Sequence, residues 1–355
     1  MNMTSFQREG LRLLGYSERE SQFLFLVATH SGYFTLQQFK TFLPTTSGSV
    51  SHAFVEKLLN HRHASFGRYR SGERVYHIFA RKLYQAIARE NLRTRRRHEL
   101  EYVKTRLVTL DFVLANPARR YLGTEGEKLD FFEKECGLSR AVLPVKLYRA
   151  RKSAEVTPRY FVDRFPLFLD GTTLTFTYVD AEAVALDAFH THLRSYLGLF
   201  DVLPAFEFIY LAPTARLFQA AQRAFAERVY RRSLQLNSIS LLDYFRLRKA
   251  WDNQERVASA DVIRLKEGQD RYPGKTVDAL YERWIQGAAK ENEVNAAGAS
   301  PLGQQKVVFR TLICGASLKV FGPLSRKAKQ IPLEPRTTEL AGRLSRRSSA
   351  EGSTP

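Results

Sequence analysis

Phe66-Gly67-Arg68-Tyr69-Arg70-Ser71-Gly72-Glu73-Arg74-Val75-Tyr76-His77-Ile78-Phe79 decides how the first hundred residues fold. Phe66–Arg70 and Arg74–Phe79 alternate in the two-residue period of a strand, with turn chemistry at Ser71-Gly72 between them. The stretch therefore reads as a β-hairpin that carries arginines. Upstream the period is helical. Ser17-Glu18-Arg19-Glu20 is a Ser-x-x-Glu capping pattern, and Phe23, Leu24, Leu26 and Val27 follow it at helical spacing. A second short helix is expected from about Thr35 to Phe42, closed by Pro44. Thr45-Thr46-Ser47-Gly48-Ser49 then gives a turn and an N-cap, and a third helix follows with Val50, Phe54, Leu58 and Leu59 on one face.

Three helices followed by a basic hairpin resemble a winged helix-turn-helix, an architecture that usually sits on DNA. The charge agrees: 55 Lys+Arg stand against 36 Asp+Glu, a formal net charge of +19. A polyanion is the natural partner, because each neutralised phosphate releases a condensed counterion. Off the apolar face of the third helix, Ser49, His52, Lys57 and Asn60 are placed to meet base edges or phosphates, with Arg62 just beyond. Arg68, Arg70 and Arg74 lie on the wing, and Arg95, Arg96 and Arg97 belong to the arginine run that starts at Arg93. Taken alone, that run reads equally well as a solvated helix face. At His61 and His63, DNA contact or plain exposure is favoured over metal ligation.

A chain of 355 residues holds two or three domains, and 44% hydrophobic with 12% aromatic residues describes a folded protein. Cys136 and Cys314 are too few for a disulfide framework or zinc cluster, so a reducing cytoplasm is expected. Neither a signal-peptide core nor an apolar run of membrane length is seen, so no membrane partner is expected.

Downstream, His98–Asn116 carries Leu100, Val103, Leu107, Leu110 and Leu114 on one face and reads as a basic linker helix. After a helical piece at Glu127–Glu135, Leu143–Tyr148, Arg159–Leu169 and Thr172–Val179 read as strands, the last two joined at Asp170-Gly171. A helix with Phe189, Leu193, Tyr196 and Phe200 inward leads to a strand at Ala205–Leu211 and a helix at Thr214–Tyr230. Strand, helix and strand form a βαβ unit with a parallel pair.

That order resembles the core of the PD-(D/E)XK restriction-endonuclease-like fold. In the resemblance, Asp163 matches the acid of the second core strand and Asp180, 17 positions on, matches that of the third. It implies that Asp163 and Asp180 hold Mg²⁺, which takes octahedral oxygen ligands and activates water against a phosphodiester. Glu182 falls where the family has lysine, a departure from the pattern. If the register is two residues earlier, Tyr178 takes the place of the second acid. Asp163, Asp180 and Glu182 are then the candidate catalytic residues, Asp163 and Asp180 the candidate metal ligands. Otherwise Asp163 pairs with a neighbouring arginine and the other two open a helix.

An N-terminal winged helix with a degenerate endonuclease-like domain resembles the replication-relaxation family of plasmids and conjugative elements. Over about Ser17–Tyr230 the resemblance is one of architecture. The fold class it implies is mixed α/β, of the α+β kind. The expected segments are 1–92 (winged helix), 93–120 (linker helix), 121–232 (endonuclease-like), 233–325 (C-terminal extension) and 326–355 (disordered basic tail). The extension is read with helices at Leu241–Trp251 and Val277–Trp284, parted by Pro273-Gly274, with both tryptophans as core anchors. A linker at Asn295–Gly303 and a small hairpin over Lys306–Val320 turning at Cys314-Gly315 complete it. The function expected is binding of double-stranded DNA in replication or transfer of a mobile element, without catalysis or cofactor, as a homodimer or with replication or transfer proteins. The alternatives are a Mg²⁺-dependent nuclease and a winged-helix transcriptional regulator.

Overall fold

The computed structural model describes residues 3–43, 48–69, 72–149, 156–230, 239–255, 258–272, 275–298 and 306–322. Arg70, the turn Thr45–Ser47, Pro273-Gly274, the end of the expected linker and the basic tail from Arg326 lie outside them. The protein is mixed α/β and divides into two compact units: residues up to Pro117 together with the chain from Gly315, and Ala118–Cys314.

The first unit begins with a helix absent from the expectations, α1 (Ser5–Leu13), followed by α2 (Glu18–His30), β1 (Tyr33–Thr35), α3 (Leu36–Phe42) and α4 (Gly48–Asn60). After these come β2 (Ala64–Arg68), β3 (Arg74–Ile78), α5 (Arg81–Ala86) and α6 (Leu100–Ala115). Thr4, Ser17 and Thr35 each cap a helix in a reciprocal box with Gln7, Glu20 and Gln38. Such a cap contributes about 1 kcal/mol. The strands form an antiparallel sheet in the order β1-β3-β2. Beneath it the rings of Phe39 and Phe54 stack at 4.0 Å, and Phe23 meets Phe39 edge-on at 4.9 Å. Gly32 turns the chain from α2 into β1 with φ +81°, and a Cβ there would stand 2.4 Å from the Thr94 carbonyl oxygen. Only glycine fits that conformation and that approach.

One expectation for this unit is corrected. α4 buries Ser51, Phe54, Val55 and Leu58, while Val50 is exposed and Leu59 half-buried. The stripe follows the 3.6-residue turn rather than side-chain type. The expected linker helix, residues 93–120, belongs to the first unit as far as Pro117. α6 buries Val103, Leu107, Val108, Leu110 and Val113, and Gln38 Nε2 donates to the Leu107 carbonyl at 2.9 Å.

The second unit is built on a five-stranded sheet in the order β10-β9-β8-β7-β4. It comprises β4 (Arg120–Tyr121), β7 (Leu167–Asp170), β8 (Thr173–Val179), β9 (Ala205–Ala212) and β10 (Lys306–Ile313). β4, β7 and β8 pair antiparallel, whereas β8, β9 and β10 pair parallel. The β7–β8 turn falls at Asp170-Gly171, and α8 (Asp187–Val202) makes the crossover from β8 to β9. Phe176, Phe189, Leu193, Tyr196, Phe200 and Phe208 fill the core between sheet and helices. Also in this unit are α7 (Glu125–Asp130), the separate hairpin β5 (Val145–Arg149) with β6 (Val156–Tyr160), and α9 (Phe218–Phe225). Four further helices gather around Tyr244, Phe245, Leu265 and Tyr281: α10 (Leu241–Asp252), α11 (Ser259–Arg271), α12 (Lys275–Ile285) and α13 (Glu291–Gly298).

Here too some expectations change. Arg159–Leu169 is two strands, because Phe161 and Arg164 take positive φ (50° and 53°) and Pro166 has no N–H to donate. Residues 306–320 are no hairpin. β10 pairs parallel with β9 over its whole length, and Gly315, with φ 133°, then turns the chain into a short 3₁₀ turn, Ala316–Phe321, of the first unit. Trp251 is half-exposed rather than a core anchor, while Trp284 packs against Phe245 and Tyr281. α13 covers the start of the expected linker. Among the described residues no helix is long and apolar enough to cross a membrane.

Candidate functional site

In the first unit, Ser49, His52 and Asn60 lie on the exposed side of α4. Lys57 does not join them. Its Nζ is 2.7 Å from Glu20 Oε2, donates to the Gly15 carbonyl at 3.2 Å and lies over the Tyr16 ring. Lys57 thus clamps α4 to the start of α2. Arg62 is exposed just past the helix with φ 55°. His61 is exposed, but His63 is buried, with Nδ1 2.6 Å from the Tyr16 hydroxyl. Burial lowers the pKa of His63, helped by His61 and Lys82.

On the hairpin, Arg68 and Arg74 are exposed and stand directly opposite each other in the β2–β3 register. The Arg74 guanidinium lies over the Phe66 ring at 4.4 Å. Like charges facing across two strands destabilise a hairpin.

The arginine run is pinned by its backbone. Thr94 is buried; its Oγ1 donates to the Ala28 carbonyl at 2.9 Å, and its own carbonyl accepts from His77 Nε2 at 3.2 Å. The Tyr33 hydroxyl donates to the Arg96 carbonyl at 3.3 Å and accepts from the His98 N–H at 3.0 Å. Arg96 and Arg97 are exposed, while Arg95 is half-buried with its Nε enclosed. Tyr33, His77 and Thr94 are the residues that sequence reading missed. Each looks like an ordinary strand or loop residue until the sheet brings them together.

His77 stacks on Tyr33 at 4.3 Å. Desolvation, only partly offset by the Thr94 hydrogen bond, lowers its pKa to about 4. Burial likewise raises the Tyr33 hydroxyl to about 12. The anchor is therefore neutral at pH 7.

In the second unit the two matched acids lie near one phenol, since burial and then Asp180 and Asp163 raise the pKa of Tyr178. Asp163 stands in the turn between β6 and β7 rather than on a strand, and its Oδ2 accepts from Nδ1 of buried His192 at 2.7 Å. Asp180 follows the end of β8. Its Oδ1 accepts the Ala183 N–H at 2.7 Å and its Oδ2 accepts the buried Tyr210 hydroxyl. Glu182 is exposed. Mg²⁺ takes oxygen ligands in near-octahedral array, and here Asp163 Oδ2 and both oxygens of Asp180 accept hydrogen bonds from His192, Tyr210 and a backbone N–H. Among the described residues no group of three or more His, Cys, Asp or Glu is placed to hold a metal ion. The hydrogen bonds form two clamps, one holding the β6–β7 turn to α8 and one closing the loop after β8.

The chain matches no protein-family model, no curated protein and no solved structure.

Proposed function

We propose that this chain binds double-stranded DNA through its first unit, read as a winged helix, with α4 in the major groove and the β2–β3 hairpin as the wing. The helix order, the single short strand before α3 and the sheet order β1-β3-β2 support that reading. The observation that carries it is the Arg68–Arg74 pair, a cost to the free protein that a phosphate between the guanidinia would offset. From Arg62 to Arg97 the sequence carries eleven Lys and Arg and two acids, Glu73 and Glu90. Ser49, His52 and Asn60 are the candidates for base edges, and Arg62, Arg96 and Arg97 for backbone contacts. The role this fits is that of a non-catalytic DNA-binding protein of a mobile element, of the replication-relaxation kind, with the second unit as a scaffold.

Anisotropy titration of a labelled duplex across a salt series tests this. Arg68→Ala with Arg74→Ala should weaken binding about 10- to 100-fold at 0.1 M salt and reduce the salt slope by about two units. No binding by the intact protein even at low salt would sink the proposal. Incubation of supercoiled plasmid with Mg²⁺ or Mn²⁺ separates the nuclease alternative. Neither wild type nor Asp163→Ala should nick, and both should bind equally. Nicking by wild type alone would mean that the carboxylates are catalytic.

A further inference from the structure

Among the described residues of the second unit, β5 and β6 pair only with each other. Their base is rooted in the core. Leu143 and Phe161 are buried, the Phe161 N–H donates to the Pro144 carbonyl at 3.0 Å, and the Tyr160 N–H donates to Glu125 Oε1 of α7 at 2.8 Å. Beyond that base both faces of the ribbon meet solvent: every residue of the two strands except Tyr148 and Tyr160 is exposed. A two-stranded ribbon is marginal in water unless one face packs against something. The register sorts its side chains, because directly opposed residues of an antiparallel pair share a face. Val145, Leu147, Val156 and Pro158 line one face, and Lys146, Tyr148, Thr157 and Arg159 line the other. Lys146 stands directly opposite Arg159, like charge against like charge. The Lys146 ammonium lies 5.8 Å from the Tyr148 ring centre, and among the described residues no carboxylate pairs with it. Arg159 reaches Glu125 at 3.7 Å. Neither strand contains an acid.

We propose that the Lys146–Arg159 face of the β5–β6 ribbon is a second contact for the phosphates of duplex DNA, so that the second unit holds nucleic acid besides serving as a scaffold. This rests on the DNA-binding reading above, since the ligand is the same. Charge complementarity selects the partner. Opposed cations cost the free ribbon stability, and a phosphate set between them converts that cost into two charge-assisted hydrogen bonds. The shape agrees, because a two-stranded antiparallel ribbon is narrow enough to follow a DNA groove. Thr157, on the same face, adds a hydroxyl donor. These are backbone contacts, which add affinity and salt dependence without sequence preference. The opposite face, with Leu147 and Val156, takes no part; an acidic protein partner would instead draw on it.

Lys146→Glu separates a DNA contact from a structural role. It sets opposite charges across the ribbon at Arg159, so the hairpin should hold at least as well as in wild type, yet it turns a carboxylate towards the phosphates. Thermal melting should place this variant at or above wild type. Anisotropy on a long labelled duplex should show binding weakened about 10-fold at 0.1 M salt, with the salt slope lower by about one unit. Lys146→Gln with Arg159→Gln should weaken it by a similar factor and lower the slope by about two units. If Lys146→Glu melts early, this pair carries the test. Lys146→Arg, and Leu147→Ser with Val156→Ser, should bind as wild type does. Charge variants that bind as tightly as wild type would overturn the inference. So would a loss confined to the Leu147 and Val156 variant, which would mark the apolar face as the contact. In either case weakening by Arg68→Ala with Arg74→Ala would leave the winged-helix reading intact. Absence of binding by wild type would instead overturn the reading on which the inference rests.

Discussion

A chain ending at Cys314 is expected to lose about 3–5 kcal/mol of the stability of its first unit, whereas a chain ending at Gly322 should keep it. Asp111 is held by Gln38 on one oxygen and by Ser317 on the other, and burial raises the pKa of its carboxyl. Without Ser317 that carboxylate keeps only Gln38, and an under-partnered buried charge costs about 3–5 kcal/mol. Leu318 and Val320 are also nearly fully buried, each contributing about 1.5–3 kcal/mol by leaving water. Water entering the vacated site, and protonation of Asp111, recover part of the sum. Urea melts of the two truncated chains read the difference directly. If both melt together, residues 315–322 are not part of the unit's core.

Acid should loosen the same unit through His77. Its pKa is about 4 in the folded state against about 6.5 for an ordinary histidine. A depressed folded pKa means that the unfolded chain takes the proton first. The stability is therefore intact above pH 6.5, falls as pH drops, and is fully lost below about 4. Two and a half pH units at 1.36 kcal/mol each give about 3 kcal/mol. His63 acts in the same direction; Asp111, raised by burial, acts in the opposite one. His77→Gln keeps a donor for the Thr94 carbonyl but does not titrate. Stability measured between pH 7 and pH 4.5 should slope less for it than for wild type. Because a charged imidazole is costly to bury against the Thr94 segment, opening of that contact should also cost the wild-type arginine run amide-exchange protection in that range. Parallel slopes for the two proteins would show that the imidazole is not the titrating group.

Much of this was readable from local pattern. The Ser17–Glu20 cap, the hairpin around Ser71-Gly72, the Asp170-Gly171 turn and the β8–α8–β9 crossover depend on residues close in sequence, where turn chemistry and periodicity suffice. The face of α4 was read about one residue off, since apolar identity does not fix helix rotation when Ser51 is buried and Val50 is not.

The candidate site divides along the same line. The sequence determined which residues are basic, that the arginines lie on a hairpin and in a run, and that the charge suits a polyanion. Only the tertiary structure decided that Lys57 is spent on Glu20, that Arg68 faces Arg74, and that Thr94 locks the run against His77 and Ala28. It also placed Asp163 against His192, Asp180 against Tyr210, and residues 315–322 against α6, more than 200 positions from Asp111. The physical reason is range. Turns, caps and amphipathic stripes are decided within one or two turns of chain, but the partner of a charged side chain is decided by which distant segments pack beside it, and no local period records that.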